Sequence, residues 1–473
     1  MGAPREHFSS KLGFILAAAG SAVGIGNIVG FPVNAAKNGG GAFLLMYAIF
    51  VFAICLPVMM AEMSVGRKTA KNPVGAYGAL AGQNSKWRLA GLLSIITPFM
   101  IAVFYTVLTI WIFIYLVMTV AGQLDYLASA DGFSEIINSP WLFASMVAVG
   151  GVVAFILKAG VKQGIERAAK IMMPALFVML ILLVIFVLTL DNAMAGLQFY
   201  LVPDLDKITP SVISGALSQA FFSLSLGMGI LITYGSYISN KTDIEESAKL
   251  VAITDTSVAF IAGLMILPAI FSFNPEVNTE ELSDSSVSMI FVFLPKIFLA
   301  LQASVGYFLA SAIASVFFLL VFFAAITSLV SIIEVPVSYL IDEKGHDRKK
   351  ALATIFIWGG LLAVLSTLSF GMVDWLTSLT SYGSGTKSLF DVIYDMFYDT
   401  ILPLNGLLIC LFVSFRWKKH NLNAELSEGN PSYGKSFLAK YVDFSLGTFI
   451  PFILAAIFIN TVAKIYFGYD VFS

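Results

Sequence analysis

Residues 12–33 read LGFILAAAGSAVGIGNIVGFPV. Such a stretch is long enough to cross a bilayer, since ~20 apolar residues span the ~30 Å hydrocarbon core. Its centre holds Gly20, Gly24, Gly26, Asn27 and Gly30, where an ordinary membrane anchor carries leucine and valine. Weak helix formers and a polar side chain at that depth require a broken helix, with the freed backbone facing protein or a polar cavity. The stretch therefore reads as half of a binding site.

The rest of the chain supports this reading. Of 473 residues, 58% are hydrophobic and 12% charged, more apolar surface than a soluble domain can hide. Apolar runs predict an all-α polytopic membrane protein of about eleven spans, near 12–35, 41–66, 88–120, 141–157, 168–190, 211–238, 246–271, 305–341, 350–369, 390–415 and 445–467. The alternating segments of a transmembrane barrel are absent. With the N-terminus cytoplasmic, only Lys37, Lys207, Lys296, Lys387 and Lys464 of the 27 lysines and arginines fall outside, a strong positive-inside bias. An odd number of spans then places the C-terminus externally. The net charge of −2 gives no reason to expect nucleic-acid binding. Cys55 and Cys410 sit in apolar runs and read as buried hydrophobes. The three histidines lack metal-ligand spacing, no nucleophile–base constellation points to an enzyme, and no cleavable signal peptide is evident.

A second interrupted span lies at 211–238, which contains SQAFFSLSLGMGILITYGS. Gly24-Ile25-Gly26 and Gly227-Met228-Gly229 stand five spans apart, which predicts two five-helix repeats of inverted topology, about 12–190 and 211–415, followed by an extra helix at 445–467. The chain is then one transporter domain, 1–473, with its site at the midplane between the broken helices. Half-helix N-termini suit a carboxylate there, and half-helix C-termini suit a small hard cation. Close helix packing is the alternative reading; it explains one such glycine pair well, while two matched ones flanked by Asn27, Ser223 and Ser225 favour a site. Residues 274–304 predict a re-entrant or capping helical hairpin, and 416–440 a polar connector.

REHFSSKLGFILAAAGSAVGIGN, FPVNAAKNGGGAFLLMY, AEMSVGR, FFSLSLGMGILITYGSY and LLVFFAAITSLVSIIEVPVSYLIDE together resemble the neurotransmitter:sodium symporter family, in particular its bacterial amino-acid transporters. The resemblance covers essentially the whole chain. It implies two sodium sites. The first would use the Ala22 carbonyl, Asn27, Ser223 and Asp255. The second would use the carbonyls of Gly20, Val23 and Ala324 and the hydroxyls of Thr327 and Ser328. It also implies a substrate site formed by Ala22, Gly24, Ile25, Gly26, Ile101, Tyr105, Phe222, Ser223, Ser225, Met228, Ser328 and Ile332. Tyr105 would cover the substrate carboxylate and Phe222 close above it. Gly24 stands where amine-selective relatives carry an aspartate, so the expected substrate is a small neutral amino acid.

In chloride-dependent relatives an asparagine matches Asp255. Here Tyr47, Gln219 and Ser223 match the chloride-site pattern while Ala259 replaces its serine, so no chloride requirement is expected. Arg5 and Asp342 match an inner gate pair, with Tyr237 as its supporting tyrosine and Phe8 in place of a tryptophan. Glu62 and Glu334 match family acids and read as scaffold. At the outer gate, Gly30 replaces an arginine. Its usual aspartate partner falls at Tyr394, with Asp391 and Asp395 nearby, so both halves of the pair are missing together. The implied function is sodium-coupled import by alternating access in a bacterial plasma membrane. The alternative is a membrane sensor that binds an amino acid without transporting it. Oligomeric state is not readable from the sequence.

Overall fold

Lipid offers no hydrogen bonds, so each span must satisfy its own backbone, and this chain does so with helices. The computed structural model describes residues 6–273, 287, 289–383 and 385–471. Helix α1 (Lys11–Ala22) starts at Ser10, whose side chain accepts the Gly13 N–H, and stops at Val23. Helix α2 (Gly26–Lys37) continues the span at a bend of 57°. Then follow α3 (Gly41–Thr69), α4 (Trp87–Val120), α5 (Trp141–Lys158) and α6 (Val161–Val187).

The second interrupted span consists of α7 (Pro210–Ser223) and α8 (Ile230–Gly235). Thr209 caps α7 and Pro210 opens it, where a missing N–H costs nothing. Between the two helices the backbone unwinds with positive φ at Ser225 (+55°), Gly227 (+76°) and Gly229 (+66°). Glycine is needed at 227 for a second reason: a Cβ there would stand 2.6 Å from the Leu402 carbonyl oxygen.

The remaining spans are α9 (Ile244–Phe273), α10 (Tyr307–Lys344), α11 (Arg348–Leu368), α12 (Leu389–Gly429) and α13 (Phe449–Phe467). Among the described residues nine helices are long and apolar enough to cross a membrane, and the bent pair α1–α2 makes a tenth. The eleventh expected span is the α7–α8 pair, each half too short to cross alone. Helix α10 has the most buried apolar stretch and packs along α4, while α5, α6, α11 and α13 expose most of theirs.

Two boundaries differ from the sequence expectation. Helix α6 begins at Val161, seven residues before 168, through a widened turn that follows Gly160. Helix α12 runs to Gly429, through the first half of the expected connector at 416–440. It does so because Glu425 is drawn into the protein by Arg67 of α3: Nε lies 2.6 Å from Oε1, and both side chains are essentially inaccessible. Between α11 and α12, β1 (Thr380–Tyr382) and β2 (Gly385–Lys387) pair as an antiparallel hairpin. Its end of the bundle is called the hairpin face. Of the expected re-entrant segment, 274–286 and 288 lie outside the described residues, while Met289–Val305 is helical.

Candidate functional site

The two unwound stretches bring polar groups together at the middle of the bundle. Asn27 opens α2, Ser223 ends α7, Tyr47 projects from α3 and Asp255 from α9; all are buried. Asn27 Nδ2 donates to Asp255 Oδ1 (2.7 Å) and to Ser223 Oγ (2.8 Å), while Asn27 Oδ1 accepts the Gly24 N–H (3.0 Å). Ser223 Oγ donates to Asp255 Oδ2 (2.8 Å), and Tyr47 Oη lies 3.2 Å from the same oxygen. Three donors therefore converge on one carboxylate. Gln219 points elsewhere, donating to the Gly26 carbonyl (3.1 Å) and accepting from Asn34 (3.0 Å). Ala259 is buried on α9 and adds no polar group.

A second oxygen set lies where α1 ends against α10. Ser328 Oγ is 3.1 Å from the Val23 carbonyl, 3.2 Å from that of Ser21 and 3.4 Å from that of Gly20. Thr327 Oγ1 bonds the Ala324 carbonyl at 3.1 Å, and its Cβ faces Gly20. Both sets consist of oxygens on buried residues, the first with one carboxylate and the second with none. Oxygen cages of low charge suit a small hard monovalent cation such as sodium. Among the described residues no group of three or more His, Cys, Asp or Glu could hold a metal ion.

Beside these sets is a cavity with about 460 Å³ of empty space. Its polar side is made by Ser21, Gly24, Asn27, Ser223, Ser225 and Ser328, its apolar side by Ile101, Met228, Ile332 and Phe222, and none of its lining residues carries an ionised side chain. Tyr105 Oη accepts the Ile25 N–H at 3.3 Å, and Ser225 Oγ donates to the Ser21 carbonyl at 3.1 Å. Ser21 Oγ is buried with no hydrogen-bond partner among the described residues. Gly24 leaves no room: a Cβ would stand 2.8 Å from Tyr105 Oη and 2.9 Å from Ser328 Oγ. Ala22 and Gly26 also border the cavity.

Two residues here escaped the sequence reading. Tyr398 lines the cavity and stacks on Phe222, with ring centroids 4.4 Å apart. Asn405 donates to the Gly227 carbonyl (3.0 Å), opposite Glu62, which accepts the Gly227 N–H (2.8 Å). Together they clamp the unwound stretch from both sides. A polar side chain inside an apolar run was the available signal for Asn405; Tyr398, one aromatic among many, gave none.

Away from the hairpin face, Phe8 packs on Phe14, Tyr234 and Tyr237. Tyr237 Oη donates to Glu334 (2.8 Å), which also pairs with Arg348 (2.6 Å), so Glu334 is tied into this closure. Asp342 accepts the Asn72 backbone N–H at 2.9 Å. Arg5 lies outside the described residues. On the hairpin face, Tyr394 packs on Phe104 (5.1 Å) and Tyr398 (4.8 Å), while Asp395 pairs with Lys387 and Asp391 accepts the Ser388 N–H in a capping box at the start of α12.

A many-spanned helical bundle with oxygen cages and a ligand-sized cavity between interrupted helices defines a membrane transporter. The model of the sodium:neurotransmitter symporter family matches residues 5–136 and 127–469, and the chain belongs to that family. It is thus a sodium-dependent multi-pass membrane transporter, of a family that is not enzymatic. It is 34% identical to an uncharacterized sodium-dependent transporter, YhdH, of Bacillus subtilis (strain 168), over 97% of this chain and 98% of that one. It is 26% identical to the human sodium- and chloride-dependent GABA transporter 2, over 82% of this chain and 69% of the relative. A crystal structure of MhsT in complex with L-phenylalanine superposes with a TM-score of 0.83 at 38% identity, covering 96% of this chain and 99% of that one. The match to MhsT places the chain in the bacterial branch of the family.

Proposed function

We propose that the protein is a sodium-coupled symporter that imports a neutral amino acid by alternating access, without a chloride requirement. The observation that carries this reading is the cavity between the unwound stretches, polar on one side, apolar on the other and free of ionised side chains. An amino acid's carboxylate fits beside the Ile25 and Gly26 backbone, under Tyr105, where it completes the first oxygen set; its apolar side chain lies against Ile101, Met228 and Ile332. Ser21 and Ser225 offer hydroxyls to the ammonium group. MhsT, crystallised with L-phenylalanine, supports an amino acid as the substrate class.

Two sodium ions are the co-transported cargo, one at each oxygen set. Asp255 supplies, as a fixed or protonatable group, the negative charge that chloride brings elsewhere, its carboxylate standing between Tyr47 and Ser223. Alternating access follows if cargo has different affinity for the two open states, with one helical bundle rocking around the fixed midplane site between the inverted repeats 12–190 and 211–415. The hairpin face is then external, Phe8, Tyr237 and Asp342 lie at the cytoplasmic side, and the membrane is a bacterial plasma membrane. The test is uptake of radiolabelled amino acids into proteoliposomes. An inward sodium gradient should drive accumulation of at least one neutral amino acid, equally in chloride and gluconate. Binding without accumulation or counterflow would instead identify a sensor.

A further inference from the structure

We propose that Tyr398 is a gating residue, which closes the cavity toward the hairpin face by stacking on Phe222. This aromatic lid does the work of the ion pair missing at Gly30 and Tyr394. The inference rests on the symport reading only in taking the cavity as the substrate's.

Four observations carry it. The Phe222 and Tyr398 rings are nearly parallel, 18° apart with centroids at 4.4 Å, and both line the cavity. Phe222 immediately precedes the end of α7, next to the unwound residues 224–229, so its ring is carried on the helix end that adjoins the break. Tyr398 is backed by Tyr394 and Phe104, the latter at 5.7 Å, so an aromatic wall occupies the place where a charged partner would project. One turn earlier, Asp395 is held by Lys387 (2.9 Å) and the Tyr382 hydroxyl (2.9 Å), and Gly383 of the same hairpin donates its N–H to the Tyr466 carbonyl (3.2 Å). This outer part of α12 is therefore fixed from the hairpin and α13, which makes Tyr398 the stationary half of the lid and Phe222 the moving half. The physical distinction is desolvation. An ion pair must shed water from two charges on each closure, whereas stacked rings shed none of that kind.

The test is reagent access to the cavity floor in the full-length protein, in detergent and without sodium or amino acid. Met228→Cys serves as reporter for a charged methanethiosulfonate reagent, and Asp131→Cys, on the exposed surface, as reference. Cys55 and Cys410 are buried and report unfolding if they react. Tyr398→Ala should raise the Met228→Cys rate about tenfold or more relative to the reference, and Tyr398→Phe should stay within about twofold of the parent. Phe222→Ala should accelerate it similarly, with the double variant no faster than either single one. If Tyr398→Ala exposes Cys55, Tyr398→Leu replaces it with the same threshold. An unchanged rate in the folded variant, or a Tyr398→Phe as fast as Tyr398→Ala, overturns the lid. Because no transport is measured, a chain that fails sodium-driven uptake yet shows the acceleration loses the symport reading and keeps the lid.

Discussion

Gly24 and Asp255 show how little freedom individual positions have at the midplane. At Gly24 any side chain meets Tyr105 Oη and Ser328 Oγ within 3 Å. Gly24→Ala should displace Tyr105 from the Ile25 N–H, a buried hydrogen bond of ~1 kcal/mol or somewhat more, and so weaken substrate affinity about tenfold in a sodium-dependent binding assay. Asp255→Asn would turn an amide donor toward groups that already donate, Asn27 Nδ2 or the Ser223 and Tyr47 hydroxyls. Sodium-driven uptake should fall at least about tenfold, since such a mismatch leaves buried groups unsatisfied at ~1–3 kcal/mol each. Adding Ala259→Ser restores the missing hydroxyl of the chloride pattern, and the double variant should take up more substrate in chloride than in gluconate. The parent should not distinguish the two anions.

At the scale of elements, breaks and anchors matter more than helix length. Arg67 of α3 and Glu425 near the end of α12 are 358 residues apart in sequence and both buried. Arg67→Ala leaves a buried carboxylate with only Lys68 beside it, and should cost about 3–5 kcal/mol, read as a markedly lower melting temperature of the purified protein. The Lys387–Asp395 pair is more exposed, so Lys387→Ala should cost only about 1 kcal/mol in the same assay. Its effect belongs to α12's outer end: the parent rate at Met228→Cys should rise modestly, by about twofold to fivefold, as the lid's fixed half loosens. Glu62 and Asn405 grip the two sides of the Gly227 peptide, so the unwound stretch between α7 and α8 is held in shape by side chains, not by regular backbone pairing.

For the whole molecule, the expected behaviour is linked binding. Ligands that bind only the folded protein raise its stability by RT ln(1 + [L]/Kd), about 2.7 kcal/mol at a hundredfold excess over Kd. In a screen of neutral amino acids, at least one should raise the melting temperature more in sodium than in potassium. A shift equal in both salts would argue against sodium completing the amino-acid site.

Hydrophobicity along one chain was enough to determine the helical membrane fold, because a bilayer admits few solutions to backbone hydrogen bonding. The interrupted spans, Asn27 and Asp255 were equally legible, since a polar group in an apolar run needs a partner wherever that partner lies. The particular partners were not legible. Composition does not tell that Tyr398 faces Phe222, that Asn405 meets Gly227, or that Glu425 pulls a supposed connector into the helix beside Arg67. Those contacts join residues far apart in sequence, and only packing of the helices sets their distances. The outer closure is the clearest case. The family resemblance implied a charge pair missing at Gly30 and Tyr394, and only the tertiary structure puts the Phe222 and Tyr398 rings together, because ring stacking depends on where α7 and α12 meet.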